Sequence, residues 1–200
     1  MPIIEEEFYQ QSDILSIAQE LLGKVLLTNF EGDLTSGIIV ETEAYEGLTD
    51  KASHAYGGKK TNRTKTMYES GGVAYVYLCY GMHHLFNIVT NKVNIPHAIL
   101  IRAVEPLDGL SIMLKRRNKN NKDLKLTSGP GSMTKALGIT MSNSGESLMN
   151  QIIWLEDQNI KIKKKNIISS PRVGIPYAEE DISNPWRFRI QNNLWTSSPN

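Results

Sequence analysis

Apolar and polar positions alternate along this chain with two periods, and the places where the period changes mark its elements. Ile14, Leu15, Ala18, Leu21 and Leu22 recur on one face of a helix. Ser12 or Asp13 can cap its start, and Gly23 supplies the left-handed stop. Strand-like runs follow over Lys24 to Thr28 and, after the turn residues Glu31, Gly32 and Asp33, over Thr35 to Tyr45. From Gly47 to Gly72 the chain is polar and glycine-bearing with little periodicity, a long loop of the kind that carries function in compact domains.

Val73 to Tyr80 and His83 to Thr90, with Gly81 and Met82 between them, predict a β-hairpin. A further strand spans Ala98 to Val104. Pro106 then stands where a first helical residue would, ahead of a stripe of Leu107, Leu110, Met113 and Leu114. Gly129 and Pro130 open a short helix, Met133 to Leu137, which Gly138 stops. Ile152 to Glu156, Val173 and Arg187 to Ile190 read as strands. The sum is an α+β fold: a single compact domain, residues 1–200, on a largely antiparallel, curved β-sheet with a protruding hairpin and surrounding helices.

Composition narrows the class. With 40% hydrophobic residues in 200, the chain can bury a proper core. No apolar run approaches the roughly twenty residues of a membrane span, and the N-terminus lacks a signal-like segment, so the expectation is an intracellular protein with no membrane partner. Cys79 is the single cysteine, which excludes an internal disulfide, and the four histidines lack an HExxH spacing. A histidine-and-carboxylate metal site stays open on these residues, without a spacing that favours it, and none suggests a cofactor. The net charge is +1, yet the basic residues cluster: Lys59, Lys60, Arg63 and Lys65; then Lys115 to Lys125; then Lys161 to Lys165. Such runs are either solvated loops or phosphate contacts.

The candidate chemistry sits between Glu41 and Asn87. On a strand, Glu41, Glu43 and Tyr45 share one face, so a carboxylate that could serve as a base points into the same space as a ring that could stack. An ordinary exposed strand face fits the same spacing. Tyr75 and Tyr77 project to one face of the hairpin, while Tyr80 has the opposite parity beside the turn and could act as a wedge in a duplex. Sheet packing explains an aromatic strand equally well. Arg102 ends the apolar run PHAILIR and needs a carboxylate or a ligand. His54 could donate to a substrate or a phosphate, and Asn87, in an apolar strand, needs a defined partner. Other readings stay open on residues alone: a nucleic-acid binding module without catalysis, or a carboxylate hydrolase using Glu41 and Glu43 as a pair.

Taken together, ETEAY, SHAYGG, TNRTKTMY, GGVAYVYLCYGMHHLFNIV, AILIRAVEPLDG, LTSGPGSMTKALGI and RVGI, in this order, resemble the alkyladenine (3-methyladenine) DNA glycosylase family from about Ile3 to Trp195. The resemblance implies a monofunctional base-excision-repair enzyme, a monomer without metal, whose partner is damaged double-stranded DNA. It would flip alkylated or deaminated purines such as 3-methyladenine, hypoxanthine or ethenoadenine into a pocket and hydrolyse the N-glycosidic bond with water. It implies a cytoplasmic, nucleoid-associated enzyme in a bacterium, or a nuclear one in a eukaryote. Glu43 then matches the general base, Arg102 its partner in holding the water, and Val173 the position whose backbone carbonyl also contacts that water. Tyr45, His54 and Tyr77 match the residues around the flipped base, and Asn87 the one that restricts the pocket against guanine's amino group. Tyr80 matches the intercalating side chain, with Tyr75 and Met82 beside it as DNA contacts. His83 and His84, after YGM, depart from the usual pattern.

Overall fold

The computed structural model describes residues 2–198, and its architecture follows from how one long strand is shared. That strand, β2 (Asp33–Tyr45), pairs along its first half with β1 (Val25–Phe30). Along Glu41 to Glu43 it pairs instead with β8 (Arg187–Ile190), and on its other edge with β5 (His97–Pro106). The hairpin of β3 (Ala74–Cys79) and β4 (His83–Thr90) extends the sheet beyond β5. At the far side β6 (Ile153–Glu156) pairs with β1, and β7 (Ile167–Ser170) with β8. This makes one eight-stranded sheet in which every pair of strands is antiparallel.

Strand parity sorts the two faces. Val40 and Ala44 of β2, Ile99 and Ile101 of β5, Phe86 and Ile88 of β4 and Ala74 and Val76 of β3 join the main core. The helix α2 (Ile14–Glu20) covers that face; Asp13 caps it through Leu15 and Ser16 N–H, and Thr42 Oγ1 donates to its Ala18 carbonyl at 2.8 Å. Positions of the opposite parity face a cavity, described below. Two register shifts, between Ile39 and Glu41 and between Glu41 and Thr42, disturb the β2–β5 ladder beside Arg102.

Several expectations are corrected. Pro106 does not open a helix. It is the last residue of β5, opposite Gly37, and the pairing runs on as Leu107 N–H donates to the Ser36 carbonyl and Ser36 N–H to the Asp108 carbonyl. Ser36 Oγ and the Asp108 carboxylate tie the two chains further at 2.7 Å. Gly109, at φ +73 and against the Leu34 carbonyl where a Cβ would stand at 2.3 Å, turns the chain into α3 (Leu110–Arg117). Leu107 is therefore exposed rather than part of the stripe. Val173 lies in an irregular segment, not a strand, whereas Arg102 stands inside β5. The short α1 (Glu6–Tyr9) and β7 were not foreseen; each is only four residues, too short to set a period. The last helix, α4 (Pro130–Leu137), begins earlier than Met133, with Pro130 in its first turn and Gly138 as its left-handed cap.

Candidate active site

Alternate residues of four neighbouring strands converge on one cavity of about 370 Å³: Tyr45 of β2, Leu100 and Arg102 of β5, Asn87 of β4, and Tyr75 and Tyr77 of β3. The volume lies in the range of small-molecule sites. The long loop closes one side with His54 and Met67, α4 brings its N-terminal Gly129 to Ser132, and the segment Val173 to Tyr177 closes another. A near-continuous apolar run such as HAILIR is what a strand buried on both faces requires.

Beneath the wall lie two carboxylates. Glu43 is fully buried. Its Oε1 accepts from Val173 N–H at 2.8 Å and lies 3.3 Å from Arg102 Nη1; its Oε2 accepts from the Tyr45 hydroxyl at 2.8 Å. Glu41, also fully buried, accepts at Oε1 from Arg102 Nε and Arg187 Nε, both at 2.7 Å, and from Ser197 Oγ at 2.9 Å. Its Oε2 takes Ser197 N–H at 2.6 Å. Arg102 therefore bridges the two acids and adds a third contact from Nη2 to Ser197 Oγ at 3.0 Å. Tyr45, Arg102 and Val173 line the cavity, so each group that holds Glu43 faces the open space.

Tyr45 is held from behind. The Arg172 guanidinium stacks between the Tyr45 and Trp186 rings, 4.8 and 4.9 Å from their centroids. It is paired with buried Asp50 through bonds of 2.5 and 2.8 Å, and Nη1 also donates to the Ala44 carbonyl. Burial and the neighbouring Glu43 push the Tyr45 hydroxyl well above its usual pKa, which keeps it a donor to that carboxylate.

Across the cavity, His54 Nδ1 is 3.0 Å from the Tyr75 hydroxyl, and its ring meets Tyr77 edge-on at 4.7 Å. Burial, then the nearby Arg63 charge, push His54 down to about 4, so the ring is neutral near pH 7. Burial also pushes Tyr75 up to about 12. Asn87 Nδ2 donates to the Tyr75 carbonyl at 3.1 Å and to the Leu85 carbonyl at 3.4 Å, the partner its setting demanded. Tyr75 lines the cavity and is otherwise buried, its hydroxyl against His54.

Tyr80 and Met82 stand outside this enclosure on the hairpin tip, 85% and 70% exposed. Tyr80 has φ +50 and Gly81 φ +70, so the wedge candidate holds a left-handed conformation that bulky residues seldom adopt. His83 packs on α4, where a Cβ at Gly131 would come within 2.9 Å of its ring. Among the basic runs, Arg116 and Arg117 are turned inward: they donate to the Ala136 carbonyl and to the Leu126 and Lys125 carbonyls. Among the described residues no group of three or more His, Cys, Asp or Glu gathers to hold a metal ion, and no helix is long and apolar enough to cross a membrane.

Asp50, Arg172, Arg187 and Ser197 escaped the sequence reading. Arg172 adjoins Val173 in RVGI, but nothing local ties it to Asp50 or ties Ser197 to Glu41, since each pair is joined only by the fold.

The family described as Methylpurine-DNA glycosylase (MPG) matches residues 7–194. Relatives under the name "Putative 3-methyladenine DNA glycosylase" include one from Chlamydia felis (strain Fe/C-56), 49% identical over 94% of this chain and 96% of its own. One from Clostridium tetani (strain Massachusetts / E88) is 46% identical over 97% of this chain and 98% of its own. Another, from Bacillus cereus (strain B4264), is 44% identical over 94% and 96%. With nearly the whole chain spanned by that match, the chain belongs to the methylpurine-DNA glycosylase family.

Proposed function

We propose that this glycosylase flips a damaged purine out of duplex DNA into the aromatic cavity and hydrolyses its N-glycosidic bond with a water activated by Glu43. The observation that carries this reading is the placement of Glu43, a buried carboxylate held by Val173 N–H, the Tyr45 hydroxyl and Arg102, directly behind a cavity walled by Tyr45, His54 and Tyr77.

The chemistry follows from those groups. Glu43 takes a proton from water, the water oxygen bonds to the sugar C1′, and the electron pair of the broken C–N bond leaves with the base, giving an abasic site. Glu43 has no exposed surface, so water reaches it where Tyr45, Val173 or Arg102 gives way. A base seated against Tyr45 supplies an occasion for that exchange. Flipping costs a few kcal/mol of unstacking and unpairing, least at a damaged pair. The exposed Tyr80 is suited to fill the vacated stack, with Met82 beside it. Lys59, Lys60 and Lys65, exposed in the loop that carries His54, suit the phosphates. Alkylated and deaminated purines are the substrate class, acted on by a monomer in the cell interior.

Duplex oligonucleotides carrying hypoxanthine, ethenoadenine or 3-methyladenine, treated with alkali after incubation, test this directly. Strand cleavage is expected with the wild-type chain and none with Glu43→Gln, which should still bind. Undiminished cleavage by that variant removes Glu43 from the role.

A further inference from the structure

Tyr45 and Tyr77, facing walls of the cavity, are each backed by a guanidinium, and the two guanidiniums differ in charge balance. Arg172, 4.8 Å from the Tyr45 ring centroid, is matched by Asp50 in a buried pair. Arg63, 4.7 Å from the Tyr77 ring centroid, is exposed, and among the described residues it forms no ion pair. Its charge is unmatched.

Arg63 also sets the state of a third wall. Its Nη2 lies 3.2 Å from His54 Nε2. A guanidinium can only donate, so Nε2 accepts and the ring proton sits on Nδ1, pointing at the Tyr75 hydroxyl. Both imidazole nitrogens are thereby occupied, and His54 presents a neutral ring to the cavity. Tyr77 lines both the cavity and a second depression that it shares with Arg63, and Arg63 is not among the residues that line the cavity.

A base held in the cavity against Tyr77 lies within about 10 Å, roughly one Debye length, of the guanidinium that touches Tyr77 and His54. Two effects then act with one sign. A cationic base meets a like charge at this range, beside a largely apolar wall. It also competes with Arg63 for the same ring quadrupole, which the guanidinium already engages. A neutral base meets neither cost. Arg172 exerts no such bias because Asp50 cancels its charge.

We propose that Arg63 is a specificity-determining residue that sorts flipped purines by charge, favouring neutral lesions over N-alkylated cationic ones. The inference rests on the reading that this cavity receives a flipped purine.

The test compares duplexes identical except for one base, hypoxanthine (neutral) or 7-methylguanine (cationic). Second-order rate constants for base release are measured for the wild-type chain, Arg63→Met and Arg63→Lys across a salt series. Met keeps an unbranched apolar stem over Tyr77 without the charge; Lys keeps the charge. The ratio of 7-methylguanine to hypoxanthine release should rise roughly three- to tenfold in Arg63→Met and stay within about twofold in Arg63→Lys, as partly screened charges at this separation imply. If the wild-type chain releases hypoxanthine alone, 3-methyladenine, cationic and without the guanine amino group that Asn87 would exclude, replaces 7-methylguanine; the same rise in ratio in Arg63→Met supports the proposal and its absence overturns it. An unchanged or falling ratio overturns it. So does an equal loss on both bases with a shallower salt dependence, which makes Arg63 a phosphate contact. Release of neither base by the wild-type chain is a different failure, visible without the variants, and removes the glycosylase reading together with this one.

Discussion

Glu41 and Glu43 stand two residues apart on one face of β2, both without exposed surface, and their surroundings divide structure from chemistry. Around Glu41, two arginines and Ser197 take up both oxygens. Around Glu43, the donors are one backbone N–H, one phenol and a shared guanidinium at longer range. A carboxylate enclosed by charge-assisted bonds to buried partners is a fixed strut, since removing any partner leaves an uncompensated charge. A carboxylate held by donors that themselves face a cavity can exchange one of them for water. The contrast disfavours a paired-acid hydrolase, because Glu41 is engaged by Arg102, Arg187 and Ser197.

The sharpest way to break this contrast is to neutralise each acid in turn. Glu43→Gln should lose base release by about a thousandfold or more while keeping its melting temperature close to wild type, as measured by single-turnover kinetics and thermal unfolding. Glu41→Gln should do the reverse: it leaves Arg102 and Arg187 facing each other and should cost about 3–5 kcal/mol of stability in denaturant titration. If the two variants behave alike, the division between strut and base is wrong.

The cavity side should also carry its own pH signature. His54 has a folded pKa of about 4 against an ordinary 6.5, so between those values the unfolded chain holds the additional proton. Stability from the neutral ring is therefore complete above pH 6.5 and drains away as the pH falls toward 4. After allowance for the solvent that reaches the ring, the loss should be about 2 kcal/mol, and His54→Gln should remove that component from the pH dependence of urea unfolding. Equal slopes for the two proteins would place the ring in solvent.

Smaller effects test the edges of the comparison. Tyr80→Ala should weaken capture of a lesion-bearing duplex about tenfold with little change in unfolding, as expected of an exposed wedge. Ser197→Ala removes a hydroxyl that touches both Arg102 and Glu41 and should cost about 1 kcal/mol of stability, with a smaller effect on rate. A larger loss of rate than of stability would mean that the Glu41 cluster positions Arg102 for the reaction.

Much of this arrangement was legible in the chain because it depends on parity. The alternation along ETEAY put Glu43 and Tyr45 together, and the hairpin separated Tyr77 from Tyr80. The same alternation put Tyr75 and Tyr77 on one face, and both line the cavity. Pro106 looked like a helix start because its backbone suits one, but continued pairing with Ser36 held it extended.

By itself, the sequence determined the alternating strands, the turn at Tyr80 and Gly81, the capped helices at Asp13 and Gly138, and the motifs by which the family was recognised. These depend on neighbours within a few residues, where steric preference and period operate. Only the tertiary structure decided that Arg102 joins two acids, that Arg172 meets Asp50 behind Tyr45, that Ser197 closes the Glu41 cluster, and that Arg63 backs Tyr77. Buried charges find partners by proximity in space, and proximity between residues far apart in the chain is set by how the strands pair and what covers their faces.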